Sequence, residues 1–545
     1  MQNHFAWYSF LLPLFCNFAV QSYEENTDSM LQDEITHQIL QVFRFAPTSD
    51  QRQALDTFAR FLLDRDEQSV MILRGSAGTG KTALASAMVQ TLRHLGQKVV
   101  LMAPTGRAAM VFSLHAGLPA WTIHRRIYRE RTFAGPEGQF NLNANLASNT
   151  LFIVDEASMI ANYGGGSSTF GSGCLLDDLV RFVYGGRGCR LMLIGDCAQL
   201  PPVGEQESPA LQDDVLERMG LRAYSCDLDE VLRQGEGSGI LVNATTIRQL
   251  ITRDTATLLP RIRVKGFADV AVVPGDELIE TLSSSFSEVG TDETMVITRS
   301  NKRANIYNQG IRRTVLDCES ELSTGDIITI VRNKYLSGEQ QKLMPLLANG
   351  DRARILRVHN TRELYGFHFA DITISMLDYN DVEIDTTAIL DTLTSDAPAL
   401  TREQDAALFQ QVMEDYADVP RKADRMRQLR EDDYYNALQI KFGYAVTCHK
   451  SQGSEWPHVF VDCAWTGPRS SADYFRWLYT AVTRARQKLH LARYPKHAYD
   501  DPNEVLPVPD DAWPRQWQAE LPARHPGEDL ETFALELPKD DGEVF

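Results

Sequence analysis

The chain has 545 residues, 43% of them hydrophobic and 23% charged, which excludes a mostly disordered protein and, at roughly 100–200 residues per domain, predicts three or four cooperating units. The formal net charge of −19 argues against a nonspecific nucleic-acid coat, because phosphate binding needs Lys and Arg to displace counterions; a local basic channel stays open. The eight cysteines lie scattered with no CxxC pair, which argues against a zinc site or a disulfide framework and for a reducing compartment, the cytoplasm.

Residues 5–20 form an apolar run, but no Lys or Arg precedes Arg44. A signal peptide would need a positive n-region, and the run is short for a spanning helix, so no membrane partner is expected. An alternative is that translation begins at Met30, just before the amphipathic set Ile35, Ile39, Leu40 and Phe43. Thr48 or Ser49 is suited to cap a helix. From Ser69 the pattern becomes a βα unit: an apolar run at 70–73, a glycine loop, then a helix ending near Gly96. Further strand-like runs stand at 99–102, 151–154 and 191–194, and a second set at 295–298, 444–447, 459–462 and 489–491. Two α/β domains are expected, with ligands at the carboxyl ends of parallel strands. Two insertions interrupt them. The polar stretch 125–149 suits a hairpin, and 326–440 begins as short strands, at 353–356 and 372–374, before a charged helical stretch near 421–430. Beyond about 499, acids mixed with prolines predict a solvated, poorly ordered tail.

Gly75-Ser76-Ala77-Gly78-Thr79-Gly80-Lys81-Thr82 matches the Walker A pattern GxxxxGK[ST] in full, after a strand and before a helix. The pattern predicts ATP, with backbone N–H groups around the phosphates, Lys81 on the β and γ oxygens and the Thr82 hydroxyl on Mg2+. A plain glycine turn would explain the glycines but not the Lys81-Thr82 pair. Asp155-Glu156 close the apolar run 151–154, as expected if Asp155 holds the magnesium and Glu156 polarises an attacking water. Taken alone, such a pair would more often be helix N-terminal charges.

The remaining motifs resemble those of superfamily-one helicases of the 5′-to-3′ branch, the RecD-like and Dda-like enzymes, over 47–494. Gln51 matches the glutamine that reads the adenine edge in that family. Ala103-Pro104-Thr105-Gly106-Arg107-Ala108-Ala109 is similar to motif Ia and Trp121-Thr122-Ile123-His124 to motif Ib, so the resemblance makes Pro104, Thr105, Thr122 and His124 contacts to a single strand. Arg125, Arg126, Arg129 and Arg131, interleaved with Trp121, Tyr128 and Phe133, supply the charge and aromatic faces such binding uses; a solvated basic helix face is the bland alternative. Gly195-Asp196-Cys197-Ala198-Gln199-Leu200-Pro201-Pro202 resembles motif III, with Gln199 sensing the γ-phosphate, and Arg233 in Val231-Leu232-Arg233-Gln234 would pair with that phosphate. Thr447-Cys448-His449-Lys450-Ser451-Gln452-Gly453-Ser454-Glu455-Trp456 is similar to motif V, with Thr447, His449 and Ser451 toward the strand and Gly453 and Glu455 toward the nucleotide. Tyr479-Thr480-Ala481-Val482-Thr483-Arg484-Ala485-Arg486 resembles motif VI, with Arg484 the arginine finger and Arg486 a possible helix-surface charge.

The resemblance thus implies an α/β fold of two RecA-like P-loop NTPase domains, with a hairpin insertion in the first and an SH3-like β insertion in the second. The divisions expected are an extension 1–46, a first domain 47–245, a second over 246–325 and 441–497 around the insertion 326–440, and a tail 498–545. It implies a helicase that hydrolyses ATP, moves 5′ to 3′ on single-stranded DNA, opens duplex at junctions and serves DNA repair, recombination or replication with unidentified partner proteins. A translocase that remodels complexes without unwinding, and a subunit of a larger recombination machine, fit the same motifs. A small-molecule kinase would not need motifs Ia, III and V.

Overall fold

A computed structural model describes residues 24–132, 139–163, 171–230, 237–252, 260–336, 338–344, 346–464 and 471–500. The chain divides into two compact units, Met1–Gly235 and Glu236–Phe545. This division precedes the boundary expected at 245, and the helix Gly239–Thr252 explains why. Its first turn is capped from the second unit, where the Asp269 carboxylate accepts from Gly239 N–H at 2.9 Å and from the Ser238 hydroxyl at 2.8 Å.

In the first unit the strands are β1 (Ser69–Gly75), β2 (Lys98–Ala103), β3 (Ala120–Thr122), β4 (Tyr128–Thr132), β5 (Gln139–Leu142), β6 (Thr150–Val154), β7 (Arg190–Gly195) and β8 (Arg222–Leu228). Six form a sheet in the order β3-β2-β6-β7-β1-β8, every pairing parallel. Parallel strands are covered on both faces, which is why β6 and β7 are buried throughout. Side chains alternate between the two faces. Met71 and Leu73 join Phe58, Phe61, Met88 and Phe112 on one side, while Val70 and Ile72 join Ile127, Phe152, Leu179 and Phe182 on the other.

Ahead of these strands, the helix Glu24–Val42 begins before Met30 and buries Ile35, Ile39 and Phe43 in the first of those cores. Each such side chain contributes at most about 1.5–3 kcal/mol. The apolar run 5–20 lies outside the described residues, and among the described ones no helix is long and apolar enough to cross a membrane. In the first insertion, β4 and β5 pair antiparallel, Tyr128 opposite Leu142.

The second unit carries β9 (Val270–Val273), β10 (Thr294–Thr298), β11 (Ile327–Ile330), β12 (Lys334–Tyr335), β13 (Leu346–Leu347), β14 (Arg352–Leu364), β15 (Phe367–Met376), β16 (Val382–Ile389), β17 (Leu438–Phe442), β18 (Ala445–Thr447), β19 (Trp456–Asp462) and β20 (Ala485–Ala492). A parallel sheet runs β18-β10-β19-β20-β9, and a closed barrel runs β11-β14-β15-β16-β17 between β10 and β18 in the chain. The strands expected as short pieces at 353–356 and 372–374 are the start of β14 and the second half of β15, which span 13 and 10 residues. Tyr365 and Gly366 turn the chain between them with φ of 56° and 70°, the left-handed pair that a tight hairpin needs. The charged helix is Lys422–Glu431. At the exit from the barrel a Cβ on Gly443 would meet Thr329 Oγ1 at 3.0 Å and the Ile328 carbonyl carbon at 3.2 Å, so any larger residue there would have to push β11 aside. The tail beyond 500 lies outside the described residues, while Tyr499 bridges to Ile262 and Asp500 accepts from Lys265 N–H.

Candidate functional site

In the first unit, β6, β7 and β1 are neighbours and parallel, so the loops after them emerge at one edge of the sheet, where such sheets bind ligands. After β1 come the Walker A residues and then the helix Lys81–His94. Gly78 and Gly80 both have φ of 80°, a conformation other residues adopt only with strain. A Cβ on Gly75 would meet Thr79 Oγ1 at 2.9 Å and Leu228 Cβ at 3.0 Å, so the cradle closes only around glycine. Lys81 Nζ donates to the Gly75 and Ser76 carbonyls at 2.6 and 2.9 Å. Thr79 Oγ1 donates to the Ser76 carbonyl, and Ala77 and Thr82 are half-buried beside them. The Ser76 hydroxyl is buried with no partner.

Gln51 is wholly buried, 0% exposed, and not left at the surface as a simple capped helix would have it. Thr48 caps the helix Ser49–Leu63 in a capping box. Gln51 Oε1 accepts from Thr48 N–H at 3.1 Å and Nε2 donates to the Thr79 carbonyl at 2.9 Å. Both ends of the amide that the resemblance assigns to adenine thus bind backbone, and they tie the helix to the phosphate loop.

Asp155 follows β6. Burial pushes its carboxyl upward, opposed by the Glu156 N–H and by the nearby Lys81 and His115; that N–H donates to Asp155 Oδ1 at 2.9 Å. Glu156 has φ of 54°, a left-handed setting that costs about 1–3 kcal/mol in a non-glycine residue and concentrates at functional sites. After β7, a Cβ on Gly195 would meet Ser158 N at 3.1 Å, so this turn lies against the one after Glu156. Asp196 Oδ1 accepts from Ala198 N–H at 2.9 Å. Gln199 is 5% exposed and its Oε1 has no partner. A buried acceptor so placed costs about 1–3 kcal/mol until something donates to it. Thr82 and Asp155 are oxygen donors of the kind Mg2+ takes, and a cation there would restore the charge that burial disfavours on Asp155.

Farther along the same edge, Ala103 of β2 pairs with Thr122 of β3. Thr105 caps the helix Gly106–Ala116 and Thr122 caps Ile123–Ile127, accepting from Ala108 and Arg125 N–H, each at 3.2 Å. Pro104 and His124 are half-buried, and burial pushes the His124 imidazole down. Trp121 is 37% exposed with the Arg125 guanidinium 4.6 Å from its ring centre; Arg129 is exposed. Tyr128 departs from the expectation of a stacking face. It is 8% exposed and part of the core. The Arg131 side chain, Phe133 and Arg233 lie outside the described residues.

In the second unit Thr447 ends β18 and is nearly buried, whereas His449 and Glu455 are exposed and Gly453 turns with φ of 71°. Ser451 is wholly buried and its hydroxyl donates to the Cys448 carbonyl at 2.7 Å, so it shapes the turn and has no surface for a strand. Arg484 is 4% exposed. Its guanidinium donates to the Thr480 carbonyl at 3.0 Å, the Ser454 carbonyl at 3.2 Å and Thr483 Oγ1 at 3.0 Å, joining the motif V turn to motif VI within the unit. Arg486 stands on β20, not on a helix, and pairs with Glu293 at 3.3 Å. Asp462 was among the buried acids not expected. It closes β19 and is held by Arg303 at 2.8 Å and by Arg493. The signal that found Asp155, an acid ending an apolar strand, would have found it too.

A family model described as an AAA domain matches residues 46–256, and one described as a UvrD-like helicase C-terminal domain matches 442–492. The ATP-dependent RecD2 DNA helicase of Deinococcus radiodurans is 34% identical over 134 residues, 25% of this chain and 16% of its own length. The ATP-dependent DNA helicase Dda of phage T4 is 22% identical over 462 residues, 81% of this chain and 97% of its own. Among solved structures, a Bacteroides Pif1 helicase with ADP-AlF3 and single-stranded DNA aligns with a TM-score of 0.42 and 15% identity, over 84% of this chain and 95% of that one.

Proposed function

We infer that this chain, a member of the RecD-like and Dda-like superfamily-one helicases, hydrolyses ATP to move 5′ to 3′ along single-stranded DNA and to open duplex ahead of it. The observation that carries the reading is the convergence of Lys81, Asp155 and Gln199 at the carboxyl ends of three adjacent parallel strands. In this reading the loop N–H groups and Lys81, freed from its own carbonyls, hold the β and γ phosphates. Thr82 and Asp155 would hold Mg2+, which neutralises charge on those phosphates. Glu156 orients and deprotonates the attacking water, and the unpartnered Gln199 Oε1 accepts a hydrogen bond from that water. Arg233 and Arg484 would stabilise the charge that develops on the transferring phosphoryl group. Pro104, Thr105, Thr122, His124, Thr447 and His449 serve the strand, with Trp121 as a stacking face. The Thr105 and Thr122 hydroxyls, which accept from the helix N–H groups they cap, keep their own O–H to donate to a strand phosphate.

In this reading the closed barrel β11-β14-β15-β16-β17 serves as the SH3-like domain of such helicases and the β4–β5 hairpin as their strand-separating pin. Repair, recombination or replication is the work such a motor would serve.

The test is ATP-dependent opening of partial duplexes carrying a 5′ tail, a 3′ tail or none, with strand-stimulated ATP hydrolysis recorded in parallel and Lys81→Ala as the silent control. Opening confined to the 5′-tailed duplex is the expected result. Stimulated hydrolysis without opening would replace the helicase by a translocase, and no stimulation by any strand would overturn both.

A further inference from the structure

The hairpin β4–β5 is short, and a two-stranded ribbon of that size is marginally stable by itself. Something must fix its direction if it is to meet a duplex, and the structure contains a buried polar tie at its root. The Tyr128 hydroxyl donates to Asp178 Oδ2 at 2.7 Å, and Ser172 N–H donates to the same oxygen at 2.9 Å. Asp178, 2% exposed, lies in the first turns of the helix Leu175–Tyr184, the helix that immediately precedes β7.

Tyr128 is a junction in its own right. Its N–H caps the helix Ile123–Ile127 by donating to the His124 carbonyl, and it is the first residue of β4. Its ring centre is 5.7 Å from that of His124. Asn143 N–H returns to the Ile127 carbonyl at 2.7 Å, and Gly171 N–H donates to the Phe140 carbonyl of β5 at 2.8 Å. A Cβ on Gly171 would stand 2.1 Å from Asp178 Oδ2 and 2.6 Å from the Tyr128 ring. Position 171 therefore fits over the tie only as glycine. One buried carboxylate oxygen thus gathers the base of the hairpin, the end of the motif Ib helix and the loop that covers both.

We propose that the Tyr128–Asp178 hydrogen bond is a positioning device, which holds the hairpin and the His124 turn in fixed register with the sheet so that translocation becomes strand separation. Neither residue touches ATP or the strand in this account. The inference rests on the helicase reading above.

Two measurements on the full chain separate the tie from that reading. Hydrogen exchange of the β4 and β5 amides needs no activity: Tyr128→Phe keeps the ring and removes only the donor, and should speed exchange there while leaving β1 and β6 protected. Duplex opened per ATP hydrolysed, on a 5′-tailed partial duplex, should fall by about fivefold in Tyr128→Phe and Asp178→Ala, within the range by which single residues modulate coupling. Asp178→Asn keeps an acceptor for both donors and should stay near wild type. A general loss of stability would lower hydrolysis and opening together and leave their ratio unchanged. Unaltered exchange in Tyr128→Phe, or an unaltered ratio in a wild-type background that opens duplex, overturns the proposal. Wild-type hydrolysis without opening defeats the helicase reading alone, and the exchange result then decides the tie.

Discussion

Arg484 shows how far a motif can carry a role and where the fold redirects it. The resemblance gives its guanidinium to a γ-phosphate, yet the three hydrogen bonds to Thr480, Thr483 and Ser454 occupy it within its own unit. To act on a phosphate it must leave those acceptors, and removing it exposes them unsatisfied. Arg484→Ala is therefore expected to slow ATP hydrolysis by about 10³-fold, the lower range for an arginine finger, with nucleotide affinity changed only a few-fold. Affinity lost together with rate would assign Arg484 to bracing the turn at Gly453 and Glu455. Gln51, Ser451 and Tyr128 follow the same logic. Each could be picked out from its neighbours in sequence, but its burial and partners come from Thr79, from Cys448 and from Asp178 respectively. The Walker A residues were legible because their geometry is local. Eight consecutive positions fix both the φ values and the loop that Lys81 spans.

At the scale of elements, strands buried on both faces were easy to read and strands with one wet face were not. The runs at 151–154 and 191–194 are apolar without interruption, and they became β6 and β7. By contrast β14 buries only Arg352, Ala353 and Ile355 at its start and is half-buried or exposed from there on, with Arg357 and Arg362 interleaved, so only its most apolar stretch stood out. What joins the barrel to the parallel sheet is likewise hidden in sequence. Arg312 and Asp326 form a buried pair at 2.9 Å, the Tyr444 hydroxyl donates to the same carboxylate at 2.9 Å, and the guanidinium lies 4.2 Å from the Phe442 ring centre. Breaking such a pair from one side leaves a charge without compensation, so Arg312→Ala should cost about 3–5 kcal/mol. The midpoint of urea unfolding followed in the second unit would report it, and Arg312→Ala with Asp326→Asn should recover part of the loss.

Across the whole molecule, the net charge of −19 conceals an acid-sensitive place in the second unit. His458 and His490 lie on β19 and β20 with ring centres 6.1 Å apart and all four ring nitrogens buried without partners. Burial, then His458 and Lys488, push His490 down to about 4, against the pull of Glu288. The folded state therefore binds fewer protons than the unfolded one. Its stability is complete above the unfolded value of ~6.5 and is lost as the pH falls toward about 4, by an amount on the order of 3 kcal/mol. Thermal unfolding between pH 7 and 4 should show a steeper fall for wild type than for His490→Leu, and parallel curves would remove the histidine from the explanation. Sequence alone determined the two α/β units, the phosphate loop, the carboxylates after β6 and the resemblance to helicases, because these rest on short-range periodicity and on residue strings that must be contiguous to work. Only the tertiary structure decided the division at Gly235, the closing of the barrel, the inward setting of Arg484 and the seat of Tyr128. Those depend on which distant residues come to share a buried space, where an unpaired donor or charge is costly enough to select one arrangement.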